Sequence, residues 1–231
     1  MNTRIAVITF TALAAFILLA CSRTETVVNT NANLNGNTSM THDMSNMNGH
    51  DMSNMNAHDM SMMDQMPVSA PNAAQQPYDL QFIDTMIVHH EGAIKMSQMV
   101  IGKTQRPELK AFAQKIIDDQ TAEIAQLKQW RDAWYAGKPS AINMDMPGMM
   151  NEGMKMMSGE HMKKMDEMKP AHLDRHFLDM MSSHHEGAID MAKQALTKAE
   201  HREIKDLANR IITAQSAEIK QMDTWAKAWK E

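Results

Sequence analysis

Cysteine is almost missing from this chain: its 231 residues contain one, Cys21, so no disulfide can form within it and any folded part must be held by its core. Aromatic residues make up only 5% of the chain, so each has to be spent where packing needs it. A basic excess is also lacking. Lys and Arg number 23 against 28 Asp and Glu, a net charge of −5, and the positive charges form no long block, which excludes a nucleic-acid partner. The one apolar run, Ile5 to Ala20, is shorter than the ~20 residues a membrane-crossing helix needs. Methionine is what the chain has in excess, at 27 residues, so sulfur is supplied almost wholly as thioether.

Residues 1–21 have the form of an export signal: Arg4, the apolar run, then Leu18-Leu19-Ala20-Cys21. That ending resembles the bacterial lipobox, which implies a lipid on Cys21 and an extracytoplasmic, membrane-anchored protein in the periplasm or at the cell surface. A simple signal without lipidation is the alternative. Residues 22–77 hold too few large apolar groups to offset the entropy of ordering and are expected to be a disordered tether. An eight-residue period runs through them: His42, Met44 and Met47, then His50, Met52 and Met55, then His58, Met60 and Met63. Thioether sulfur selects Cu(I) and its analogue Ag(I), and imidazole suits copper generally, so each unit is a candidate flexible ligand set. A low-complexity spacer is the competing reading.

The remainder, 78–231, is a duplicated unit. Residues 79–135 align without a gap on 174–230, with about 25 of 57 positions identical, across a connection at 136–173. Phe82, Met86, His89, Ala93, Met96 and Val100 fall three and four apart, one stripe of a helix that Asp79 is placed to cap and that fades near Gly102. A second helix begins near Pro107, carries Leu109, Phe112, Ile116, Gln120, Glu123, Leu127, Trp130 and Trp134 on one face, and stops before Gly137. The second unit repeats this, with Asp174 as the cap. The short turns make each pair antiparallel. The expected fold is therefore all-α: two repeated helical hairpins packed face to face as a four-helix bundle.

The inward stripe is not wholly apolar. His89, Gln120 and Glu123 sit on it, as do His184, Gln215 and Glu218, and buried polar groups left without partners cost about 1–3 kcal/mol each. They form either a structural polar layer or a metal site in which Gln120, Glu123, Gln215 and Glu218 orient the ligands from behind. The candidate ligands are Met86, His89, His90 and Met96 in the first unit and Met181, His184, His185 and Met191 in the second. On this spacing His89 and His184 face the glutamates. His90 and His185, four residues after a methionine, are the better placed ligands. His176, Met180 and His184, at intervals of four, make the second unit the stronger site. The connection adds ten methionines within about 25 residues, which cannot all be core in so polar a segment, and from Met154 onward its spacing suits a partly helical stretch with His161, Met165 and Met168 near one side.

Phe82, Met86, His89-His90, Ala93 and Met96, followed by Ile117, Gln120, Glu123-Ile124 and Trp130, resemble the ferritin-like family known as domain of unknown function 305. The resemblance spans both units. It implies an extracytoplasmic four-helix protein, copper binding and copper tolerance as in some members, and candidate ligands at Met86, His89, His90, Met96 and their counterparts. The tail octads and the connection lie outside that motif. The expected function is non-enzymatic capture of Cu(I), with Cu(II) open to the imidazoles and silver as analogue, for sequestration or for delivery to a metal-transfer partner. A di-iron oxidase is one alternative, weakened because neither unit contains Glu-x-x-His. A metal-independent structural or partner-binding module is the other.

Overall fold

The computed structural model describes residues 67–155 and 158–229. The chain divides into two units, Met1–Asp51 and Met52–Glu231, and every described residue belongs to the second. Cys21, the segment expected to be an export signal and the octads from His42 to Met63 lie outside the described residues. Among those described there are six α-helices and no strand. They are α1 Tyr78–Lys103, α2 Pro107–Tyr135, α3 Glu152–Lys155, α4 Gly159–Asp166, α5 Pro170–Lys198 and α6 Arg202–Ala228. None is long and apolar enough to cross a membrane.

Local chemistry sets the boundaries. Pro107 and Pro170 open α2 and α5, where a missing N–H costs nothing and the ring's fixed φ suits the first turn. Gly137, at φ 72°, takes the left-handed conformation just beyond α2. The three residues between α1 and α2, and the three between α5 and α6, fold each pair into an antiparallel hairpin.

Two apolar clusters fill the interior. One joins Phe82, Ile83 and Met86 of α1 to Ile124 and Leu127 of α2, Met191 and Ala195 of α5, and Ile204, Leu207 and Ile211 of α6. The other joins Met96 and Val100 of α1 to Leu109 and Ile116 of α2, Leu173, Phe177 and Met181 of α5, and Met222 of α6. Early residues of α1 thus meet late residues of α5 and the reverse, so these two central helices run antiparallel. The adjacent histidines of each fall between the clusters.

The connection is more deeply packed than its polarity suggests. Met144, Met146, Met149, Met154 and Met165 are buried and Met150 is 57% exposed, in keeping with the expectation that not all of the segment's methionines are core. Unbranched thioether chains fill irregular gaps that Leu or Ile would not. Pro147 and Gly148 form a turn closed by Met149 N–H donating to the Met146 carbonyl at 3.2 Å, and Gly148 adopts φ 84°. An added Cβ there would overlap the Gly187 backbone, and one on Gly153 would lie 2.5 Å from the His184 backbone nitrogen. The connection therefore lies directly on α5 beside its histidines.

Asp79 and Asp174 do not cap their own helices, because α1 starts at Tyr78 and α5 at Pro170. Each reaches the other hairpin instead. Asp79 accepts hydrogen bonds from the backbone N–H groups of Glu200 (3.0 Å) and His201 (2.9 Å) and from His201 Nδ1 (2.6 Å), so it serves the open N-terminus of α6. The His201 ring stacks on Trp134, with centroids 3.8 Å apart. At the opposite end, Arg106 Nε lies 3.4 Å from Asp174 Oδ2 and its guanidinium 4.1 Å over the Trp229 ring. Asp79→Ala leaves two backbone donors and an imidazole without their acceptor and should cost about 2–3 kcal/mol, read as a lower urea midpoint at unchanged slope.

Candidate metal centre

Four histidines occupy the crossing of α1 and α5. His89, His90, His184 and His185 are each 0% exposed. Adjacent positions on a helix point about 100° apart, yet both members of each pair are buried, because one side of the helix meets its hairpin partner and another meets the opposite hairpin. His89 and His184 face each other with ring centroids 3.7 Å apart, tilted by 42°. All four of their ring nitrogens are buried without a hydrogen-bond partner.

His90 and His185 are held differently. His90 Nε2 donates to Glu123 Oε2 at 2.7 Å and His185 Nε2 to Glu218 Oε2 at 2.9 Å. A carboxylate can only accept, so the neutral ring carries its proton on Nε2 and presents a lone pair at Nδ1. Both Nδ1 atoms are buried and unpartnered, as are Gln120 Oε1 and Gln215 Oε1. A carboxylate behind an imidazole, leaving the other nitrogen bare, is the arrangement that orients metal-binding histidines. The two halves are not equivalent: Lys115 Nζ also donates to Glu218 Oε1 at 3.1 Å, whereas Glu123 is bonded to His90 and is 20% exposed.

Electrostatics keep the central pair neutral. Burial, then the neighbouring histidines, hold His89 and His184 well below the ordinary imidazole range. Burial pushes the Glu218 carboxyl up, but hydrogen bonds and charge from His185 and Lys115 outweigh it and leave the group below its usual value. At neutral pH His89 and His184 are unprotonated imidazoles with lone pairs available for a soft or borderline ion.

The structure reverses the roles expected within each His-His pair. The second histidine, not the first, meets the glutamate. Met86 and Met191 fall in one apolar cluster and Met96 and Met181 in the other, all buried, on either side of the layer. His176 does not extend the His184 stripe. Eight residues, about 12 Å of helix, separate them, and His176 Nε2 lies 2.8 Å from His161 Nε2 of α4. Met165 and Met180 pack in the second apolar cluster. His172 lies inside α5 and is exposed. Among the described residues no three His, Cys, Asp or Glu side chains converge on one point. Gly153, Asn151 and Ser183, which seat the connection against α5, escaped sequence reading, although Gly187, a glycine inside a helix beside the histidines, signals such a close approach.

The family model described as domain of unknown function (DUF305) matches residues 19–131 and 79–226. The chain belongs to the DUF305 family. Among solved structures, this DUF305 chain is similar to CopM in the Cu(I)-bound form, at 35% identity over 66% of this chain and 98% of that one, with a TM-score of 0.54. CopM in the Cu(II)-bound form gives 36% identity, 66% and 97% coverage and a TM-score of 0.56. The silver-bound form obtained by co-crystallization gives 34%, 66%, 98% and 0.53. A DUF305 protein from Streptomyces coelicolor matches at 28% identity over 65% of this chain and 93% of that one, with a TM-score of 0.56. A comparison with curated proteins finds no match.

Proposed function

We propose that this DUF305 chain is an exported, lipid-anchored copper and silver binding protein that captures chiefly Cu(I) through Met and His, for sequestration or delivery, and is not an enzyme. The observation that carries this reading is the close, tilted His89–His184 pair, whose four ring nitrogens are buried and unpartnered between two methionine-containing clusters. Each such atom costs about 1–3 kcal/mol in an apolar interior, so the layer is under-satisfied as protein alone and gains from an ion. Copper- and silver-bound CopM, similar over 66% of this chain, supports soft-metal binding as the use of the fold.

The four long helices read as a ferritin-like four-helix bundle, with His89, His184, His90 Nδ1 and His185 Nδ1 as its nitrogen ligands and Met86, Met96, Met181 and Met191 as sulfur ligands. Glu123 and Glu218 orient His90 and His185 from behind, which also makes those two pairs a structural polar layer in the metal-free protein. The tail octads act as a metal collector ahead of these sites, tethered through Cys21. A di-iron oxidase gains no support, because both glutamates are already engaged by imidazoles.

The test is titration of Cu(I), Ag(I), Cu(II) and Fe(II) into the mature chain and into a chain beginning at Gln76, with bound ions counted by elemental analysis. Cu(I) and Ag(I) should be retained by both, more by the longer, and His89→Leu/His184→Leu should bind fewer ions while matching or exceeding the metal-free stability of the parent. Negligible Cu(I) and Ag(I) binding by both chains would sink the reading. Two irons per chain with oxygen consumption would restore the oxidase.

A further inference from the structure

Away from the four-histidine layer, α4 meets α5 through two imidazoles. Ser158 Oγ accepts the His161 backbone N–H at 3.4 Å and sets the start of α4. The His161 side chain is thereby directed at His176, with the two Nε2 atoms 2.8 Å apart and the ring centroids 5.1 Å apart. At that distance one nitrogen is the N–H donor and the other the acceptor, so a single proton sits between two lone-pair positions aimed at the same point. Each histidine is followed four residues later by a methionine, Met165 on α4 and Met180 on α5, hence on its own helix face. Met165 is fully buried and Met180 partly so, both against the cluster of Phe177 and Met181. Two His-x-x-x-Met pairs from two helices therefore adjoin one contact.

We propose that His161 and His176, with Met165 and Met180, form a second soft-metal site in which a monovalent ion, Cu(I) or Ag(I), replaces the shared proton and latches α4 onto α5. The step balances as a tautomer shift: the ion enters, the donor ring's Nε2–H bond breaks and that proton leaves to solvent while its Nδ1 takes one up, so both rings stay neutral, and two nitrogen–metal bonds form with no change of redox state. Nitrogen–metal bonds of about 2.0 Å in a linear arrangement need the nitrogens about 4 Å apart. The contact must widen by roughly 1 Å, which eight-residue α4 accommodates because Met162, Met165 and Met168 hold it through flexible side chains. Thioether and imidazole together select this class of ion over hard divalent cations. The proposal rests on the reading of the chain as a soft-metal binder and assigns to that reading a site between α4 and α5.

The experiment uses the full mature chain labelled with 15N-histidine and titrated with Ag(I). The Nε2 resonances of His161 and His176 should move together in one step and show splitting by silver. His161→Ala/His176→Ala should retain one silver ion fewer per chain, at an unchanged far-UV circular dichroism spectrum. Silver retained elsewhere while the His161 and His176 resonances stay unmoved at saturation would overturn the latch and leave the general reading standing. No silver retained, with no histidine resonance moving, would overturn both. The resonance test uses the unmutated chain, so it holds even if the double variant folds poorly.

Discussion

Gly148→Ala should destabilise the folded unit by about 3 kcal/mol or more, among the larger effects of a single substitution. Gly148 stands at φ 84°, where an L side chain costs about 1–2 kcal/mol, and its added methyl would run into the backbone of Gly187. Backbone cannot yield as a flexible side chain does, so the Met146–Met149 turn would have to lift from α5, exposing thioether surface that is now buried. At roughly 2–4 °C per kcal/mol for a domain of this size, the midpoint of thermal unfolding should fall by about 6–12 °C. Gly137→Ala supplies the control. Gly137 also has positive φ, at 72°, but a Cβ there meets nothing within 4 Å, so it should lose only the conformational part. Equal losses in the two variants would show that the connection does not rest on Gly187.

The metal-free protein should lose stability steeply as pH falls below about 6.5. His89 and His184 are buried neutral, with folded pKa values well below the ordinary 6.5. In the unfolded chain both take up protons near that value, so the unfolded state binds more protons and stability rises with pH throughout the window between the folded and unfolded pKa values. Well inside it the two rings together give a slope approaching ~2.7 kcal/mol per pH unit, about 1.36 from each. His161 and His176, also lowered chiefly by burial, add to the same trend. Glu218 acts lower down: its depressed carboxyl contributes stability that is lost as pH falls through its folded pKa, below 4.5. Urea unfolding at pH 7.5, 6.5 and 5.5 measures this. His89→Leu/His184→Leu should flatten the curve, and an unchanged slope in that variant would show that these rings are not the source.

Much of the helical layout is legible in the sequence, because apolar spacing of three and four, Pro107 and Gly137 all act within one turn of chain. The histidine layer is legible in part. That His89, His90, Gln120 and Glu123 share an interior follows from the stripes, but which imidazole meets Glu123 does not. A stripe assumes one buried face, and α1 and α5 each have two, one toward the hairpin partner and one toward the opposite hairpin. Asp79 was misread for a related reason: an acid near a helix start looks like that helix's own cap, whereas its acceptors serve Glu200 and His201, more than 120 positions away. The connection shows helical spacing only from Met154 onward, and nothing before it signals how it packs. Met144, Met146, Met149 and Met154 are buried where the backbone comes close to α5 at Gly148 and Gly153, which composition does not register. The His161–His176 contact depends on how α4 is seated and was visible only as two residues on separate segments.

The two aspartates that reach across hairpins have a consequence for how the chain assembles. Asp79 completes the start of α6, and Asp174 braces Arg106 at the start of α2, so each hairpin holds a part the other needs. Neither can finish alone. The first hairpin to emerge from the ribosome must wait for α5 and α6 before its own helix ends are secured. Folding is then all-or-none across residues 78–228 rather than hairpin by hairpin, and a proteolytic cut in the connection would leave two halves still gripping each other.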